Sequence, residues 1–134
     1  MNKLAGKIKS IKSDEHLSII EMDVNGDTLK TIIIETESTV GFLKKGTPIN
    51  LMFKETEVSI AKDFSGKISL QNKMKCIIKE IKKGFLLSSL ILDYKGDQIS
   101  SIITSAAVEQ LSLKIGDEVT ALVKTNEIII APDD

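Results

Sequence analysis

Tryptophan is absent from this chain, tyrosine occurs once and phenylalanine four times. Proteins that grip single-stranded nucleic acid stack bases on aromatic side chains above a basic groove. Here aromatics make up 4% of residues, and 18 basic residues face 19 acidic ones for a net charge of −1. A polyphosphate partner normally calls for a large basic excess, so no nucleic acid partner is expected. The one cysteine, Cys76, excludes an internal disulfide and fits a reducing compartment. It reads as a small buried hydrophobe. The one histidine, His16, falls at a predicted turn and reads as an exposed loop residue. One histidine and one cysteine do not assemble a zinc site or a Ser–His–Asp triad. No glycine-rich phosphate loop is present, and the prolines, at 48 and 132, make no linker. No apolar run reaches the roughly 18 residues that span a bilayer. Lysines and an acidic pair interrupt the first fifteen residues, so no secretory leader is read there. The cytoplasm is the expected compartment, with no membrane partner.

What is present is aliphatic. Hydrophobic residues are 42% of the chain, mostly isoleucine, leucine and valine, which predicts a sheet-rich core. The chain also repeats itself. Shifted by 70 residues, Asn2-Lys3 meets Asn72-Lys73, Leu17-Ser18 meets Leu87-Ser88, and Gly26-Asp27 meets Gly96-Asp97. "LKKG" at 43–46 meets "LKIG" at 113–116, Lys54 meets Lys124, and Glu57 meets Glu127. No gap is needed, and about a third of the paired positions are identical. Turn residues match as well as apolar ones, which coincidence between two strand-rich halves does not explain. The halves are read as residues 1–64 and 65–134.

Each half carries the same pattern. Residues 3–12 alternate until Ile11 breaks the parity, and residues 17–24 form a second strand. "NGD" at 25–27 is a strong hairpin turn, and "KGD" at 95–97 a less ideal one. A third strand covers 28–35. The segment "SAAVEQLSL" has helical spacing, with Ser105 as the expected cap; "ETESTVGFL" is its counterpart. "PINLMFK" and "EVTALVK" are fourth strands, "TEVSIA" and "NEIIIA" the last. Mainly β architecture follows: two OB-like five-stranded barrels, each with one short helix between its third and fourth strands. Halves of this size are marginal alone. They must pack together, exchange strands or oligomerise.

"SLQN" at 69–72, "SIIT" at 101–104, "LSLKIGDEVTALVK" at 111–124 and "EIII" at 127–130 together resemble the Mop, or TOBE, domain of the molbindins. The first half is a weaker copy. The resemblance implies strand-exchanged barrels in a homo-oligomer, with a trimer favoured for a duplicated chain. It also implies binding of a small oxyanion, molybdate or tungstate, between subdomains, with no cofactor and no catalysis. Carried over residue by residue, the donors are Ser69, Asn72 and Lys124, with backbone amides near Gln71 and at Ile103 and Thr104. Asn2, Lys54 and the backbone at Ile33–Ile34 are the counterparts in the first half.

Such a set suits a tetrahedral dianion. Hydroxyls, amides and one compact cation distribute its charge without a basic excess. Each residue also has an ordinary reading: a strand-end serine, turn asparagines, surface lysines. Three positions depart from the family pattern. Gln71 stands where an arginine is usual, so a forked cationic donor becomes a neutral amide. Cys76 stands where Gly6 keeps the family glycine. Glu35 places a carboxylate where a small polar residue is usual, and would repel an oxyanion. An alternative reading is an anion-responsive regulatory or interaction module without a storage role. Regulators with two such domains also carry an N-terminal DNA-binding helical region; this chain begins at the first repeat, so DNA reading by that route is not expected.

Overall fold

The computed structural model describes residues 1–34 and 41–133. The predicted first-half counterpart of the helix, and Glu35, lie outside these residues. In the first half, β1 (Asn2–Ser13), β2 (Ser18–Val24), β3 (Asp27–Ile33), β4 (Pro48–Phe53) and β5 (Ser59–Ala61) follow in order. In the second half come β6 (Asn72–Lys83), β7 (Leu87–Tyr94), β8 (Asp97–Thr104), the helix α1 (Ser105–Gln110), β9 (Glu118–Val123) and β10 (Ile129–Pro132). A 3-10 turn precedes the last strand of each half, at Glu55–Glu57 and Thr125–Glu127.

Alternation in the sequence becomes alternation in burial. Asn2, Leu4 and Ile8 of β1 point inward while Lys3, Ala5, Lys7 and Lys9 face solvent. The parity break at Ile11 has a physical cause. The β1–β2 register shifts between Ile8 and Ser10, a β-bulge, and the β6–β7 register shifts between Ile78 and Glu80. The hairpin turns behave as read. Asn25 and Gly26 have φ of 52° and 87°, and Lys95 and Gly96 have φ of 51° and 96°. Positive φ at both central residues is what a type I′ turn requires. One expectation needs correction. The helix is capped by Thr104 and not by Ser105: the Thr104 hydroxyl accepts the Ala107 N–H at 3.1 Å. Ser105 is already helical, and a cap must sit one residue outside.

The two five-stranded sheets do not follow the two sequence halves. Their orders are β10-β4-β1-β2-β3 and β5-β9-β6-β7-β8. The last strand of each half has crossed to the other sheet. Ser59–Ala61 pair with Thr120–Leu122, and Ile129–Pro132 pair with Ile49–Met52. Of the three ways to complete a marginal half, the single chain shows both strand exchange and packing of the halves together. Without the exchange, β4 and β9 would each leave a row of unpaired backbone groups at a sheet edge. The crossing segments also bury Val58 and Ile128. Each buried aliphatic side chain contributes about 1.5–3 kcal/mol, so the exchange is anchored by packing as well as by hydrogen bonds.

Candidate functional site

The two crossovers build two matching corners where the halves meet. At the first, Phe53 of β4 pairs with Asn2 of β1, and the chain leaves through Lys54 into the 3-10 turn. At the second, Val123 pairs with Asn72 and the chain leaves through Lys124. Lys54 and Lys124 are both exposed, in extended backbone (φ −74°, ψ 149° and φ −71°, ψ 144°). Ser69 and Gln71, also exposed, lead directly into the second corner.

The asparagines have a duty the resemblance does not imply. Asn72 is fully buried and grips the backbone of the other half: Nδ2 donates to the Lys30 carbonyl at 2.8 Å and Oδ1 accepts the Lys30 N–H at 2.6 Å. Asn2 makes the same pair of bonds to Ser100, each 2.8 Å. Lys30 and Ser100 are themselves 70 residues apart, so the two locks are equivalent. A second pair of bonds repeats the relation. The Thr31 hydroxyl donates to the Ile128 carbonyl at 2.6 Å, and the Ser101 hydroxyl to the Val58 carbonyl at 2.9 Å. A buried, doubly bonded amide is a poor candidate for direct contact with a ligand; it fixes the corner. Sequence reasoning missed Thr31, Ser101, Lys30 and Ser100. The available signal was that two small hydroxyl residues align at the 70-residue offset beside the third strands.

Between the corners, the Glu57 and Glu127 carboxyls lie close to each other. Desolvation, followed by this contact, holds Glu57 above its ordinary carboxylate range, with Lys54 pulling the other way. Burial also pushes the Cys76 thiol up to about 12, so it is an inert core residue. Elsewhere along the seam the hairpin tips interlock. Asn25 Nδ2 donates to Asp97 at 2.8 Å, and the buried Tyr94 hydroxyl donates to Asp27 at 2.6 Å. Among the described residues, no three His, Cys, Asp or Glu side chains are grouped to hold a metal ion.

Ile103 and Thr104 lie elsewhere. They close β8 opposite Ser88 and Leu87, beside the β6–β7 hairpin tip, where the Ser105 N–H donates to the Leu86 carbonyl at 2.8 Å. In the sheet order β6 and β7 separate them from β9, which leads to Lys124. One chain therefore assembles Asn2 with Lys54, and Asn72 with Lys124, Gln71 and Ser69, but leaves the Ile103–Thr104 backbone on the far side of the sheet.

The TOBE domain family matches residues 68–130. Molybdenum-pterin-binding protein 2 of Clostridium pasteurianum is 38% identical over 64 residues, which cover 47% of this chain and 94% of that protein. The chain belongs to the molbindin (Mop) family. Its molbindin fold extends over both halves. A crystal structure of the cytoplasmic molybdate-binding protein ModG, with molybdate bound, superposes with a TM-score of 0.91 at 25% identity, covering 98% of this chain and 96% of that one. The molybdenum import ATP-binding protein ModC of Brucella abortus is 30% identical over 112 residues, or 83% of this chain. The chain spans only 29% of that longer relative. No helix among the described residues is long and apolar enough to cross a membrane.

Proposed function

We propose that this protein binds molybdate, or tungstate, at sites completed between copies of a homo-oligomer, and that it buffers the anion in the cytoplasm without catalysis. The observation that carries this reading is the pair of equivalent corners. Each holds an exposed lysine in extended backbone, beside an asparagine-locked strand start. Around a dianion, such a corner offers one compact cation and rigid N–H donors. Ser69 adds a hydroxyl in the second corner, and Gln71 adds a backbone donor with a neutral side chain. The similarity to a molybdate-bound protein over the whole chain supports the same ligand. The separation of Ile103 and Thr104 from Lys124 supports an intermolecular site, since a second copy has to supply what one chain holds apart. Duplication of the domain favours a trimer.

Isothermal titration with molybdate, tungstate and sulfate tests the reading. Heat is expected with the first two. Lys124→Ala removes a charge-assisted contact, each being about 1.5–3 kcal/mol, and is expected to weaken molybdate binding roughly tenfold to a hundredfold while thermal stability stays unchanged. Well-folded protein that gives no heat with any of the three anions would sink the proposal.

A further inference from the structure

Asparagine occurs five times in the chain, and only Asn25 precedes a glycine. That order of residues carries a reaction of its own. A backbone nitrogen can attack the side-chain amide carbon of the residue before it, and glycine, without a Cβ, hinders the approach least. A bond forms between the Gly26 nitrogen, which loses its proton, and Asn25 Cγ. The Cγ–Nδ2 bond breaks, and the amide nitrogen takes up a proton and leaves as ammonia. Water then opens the succinimide at either carbonyl, to aspartate or to isoaspartate. Water is the one co-reactant, and no electrons change hands. Asn25 and Gly26 are both exposed, so water reaches them. The space around Gly26 is open, with no neighbour within 4 Å of where a Cβ would stand.

The fold holds both reacting groups. The Gly26 N–H donates to Asp23 Oδ1 at 3.1 Å, and Asn25 Nδ2 donates to Asp97 Oδ2 at 2.8 Å. Around them the two hairpin tips clamp each other. Lys95 Nζ donates to the Asn25 carbonyl and to Asp27 Oδ1, each at 3.1 Å, and the Tyr94 hydroxyl donates to Asp27 Oδ2 at 2.6 Å. The attacking nitrogen and the leaving amide are thus each tied to a carboxylate, and attack requires both bonds to open. The second tip carries Lys95 at the equivalent position and has no amide to react. We propose that Asn25–Gly26 is a deamidation site gated by this clamp, and that its product releases that end of the seam. A carboxylate at position 25 has no N–H to give Asp97. It stands among Asp23, Asp27, Asp97 and Asp133, with Lys7 and Lys95 as the cations on that face. Isoaspartate also adds a carbon to the backbone of a turn that requires fixed dihedrals at both central residues. Opening of the clamp is reversible, and the reaction makes it permanent.

Intact-mass measurement and peptide mapping of the full chain, held in mildly alkaline buffer below its melting temperature, test the gate. Wild-type protein is expected to convert slowly, and at Asn25 before the other asparagines. Asp97→Ala, at an exposed position, removes one charge-assisted hydrogen bond and is expected to convert about tenfold faster. Val108→Ala lowers stability in α1, beyond the other end of β8, and is expected to convert at close to the wild-type rate. Asn25→Asp imitates one product. It is expected to lower the denaturant midpoint, and Asp97→Asn in the same chain to recover it. Wild-type protein that converts as fast as the chain unfolded in urea, or Val108→Ala that matches Asp97→Ala, overturns the gate. An unchanged midpoint in Asn25→Asp overturns the release of the seam.

Discussion

At the scale of single residues, the asparagines matter more to the fold than a ligand-centred reading suggests. Asn72→Ala would strand the Lys30 N–H and carbonyl, each deprived of its partner by the loss of one side chain. An unsatisfied buried polar group costs about 1–3 kcal/mol, so a loss of about 2–4 kcal/mol is expected, measured by urea unfolding. A second prediction concerns Glu57. Its carboxyl is held above the ordinary value of 4.5, first by desolvation and then by Glu127. A carboxyl raised in the folded state contributes stability below its unfolded pKa and loses it as pH rises through the folded value. At neutral pH the Glu57–Glu127 contact is therefore a liability. Glu127→Gln is expected to raise Tm at pH 7, with the gain fading toward pH 4; an equal gain at both pH values would show that charge is not the cause.

At the scale of elements, the duplicated strands differ where a side chain meets a neighbouring strand. A Cβ at Gly6 would stand 2.8 Å from Val24 Cγ2 and 2.9 Å from the Asp23 carbonyl. The equivalent Cys76 carries a Cβ and is buried, so the second sheet accommodates a side chain at this position. Gly6→Ala is expected to cost about 1–3 kcal/mol through overpacking, read as a fall in the denaturant midpoint without a change in m. The element boundaries were largely legible, because turn chemistry and alternation are local. The β-bulges were visible only as broken parity at Ile11. The helix cap was displaced by one residue, since Thr104 and Ser105 are both good caps and only backbone geometry separates them.

At the scale of the whole molecule, strand exchange makes the halves interdependent. A fragment of residues 1–64 would carry β5 with no β9 to pair with, and would lack β10 beside β4. Expressed alone, it is expected to be unfolded or to pair with a second copy of itself. Refolded with the complementary fragment, it should recover native circular dichroism; a stable monomeric half would contradict the exchange. The sequence by itself determined the repeat, the aliphatic sheet core, the hairpin turns and the family, because each rests on local residue chemistry or on a fixed offset. Tertiary structure decided which sheet receives the last strand of each half, and that Asn2 and Asn72 hold the seam. It also decided that Ile103 and Thr104 lie away from Lys124. These depend on contacts between residues distant in the chain, 42 positions for Asn72 with Lys30 and 98 for Asn2 with Ser100, and no local pattern encodes which distant backbone a buried amide will find.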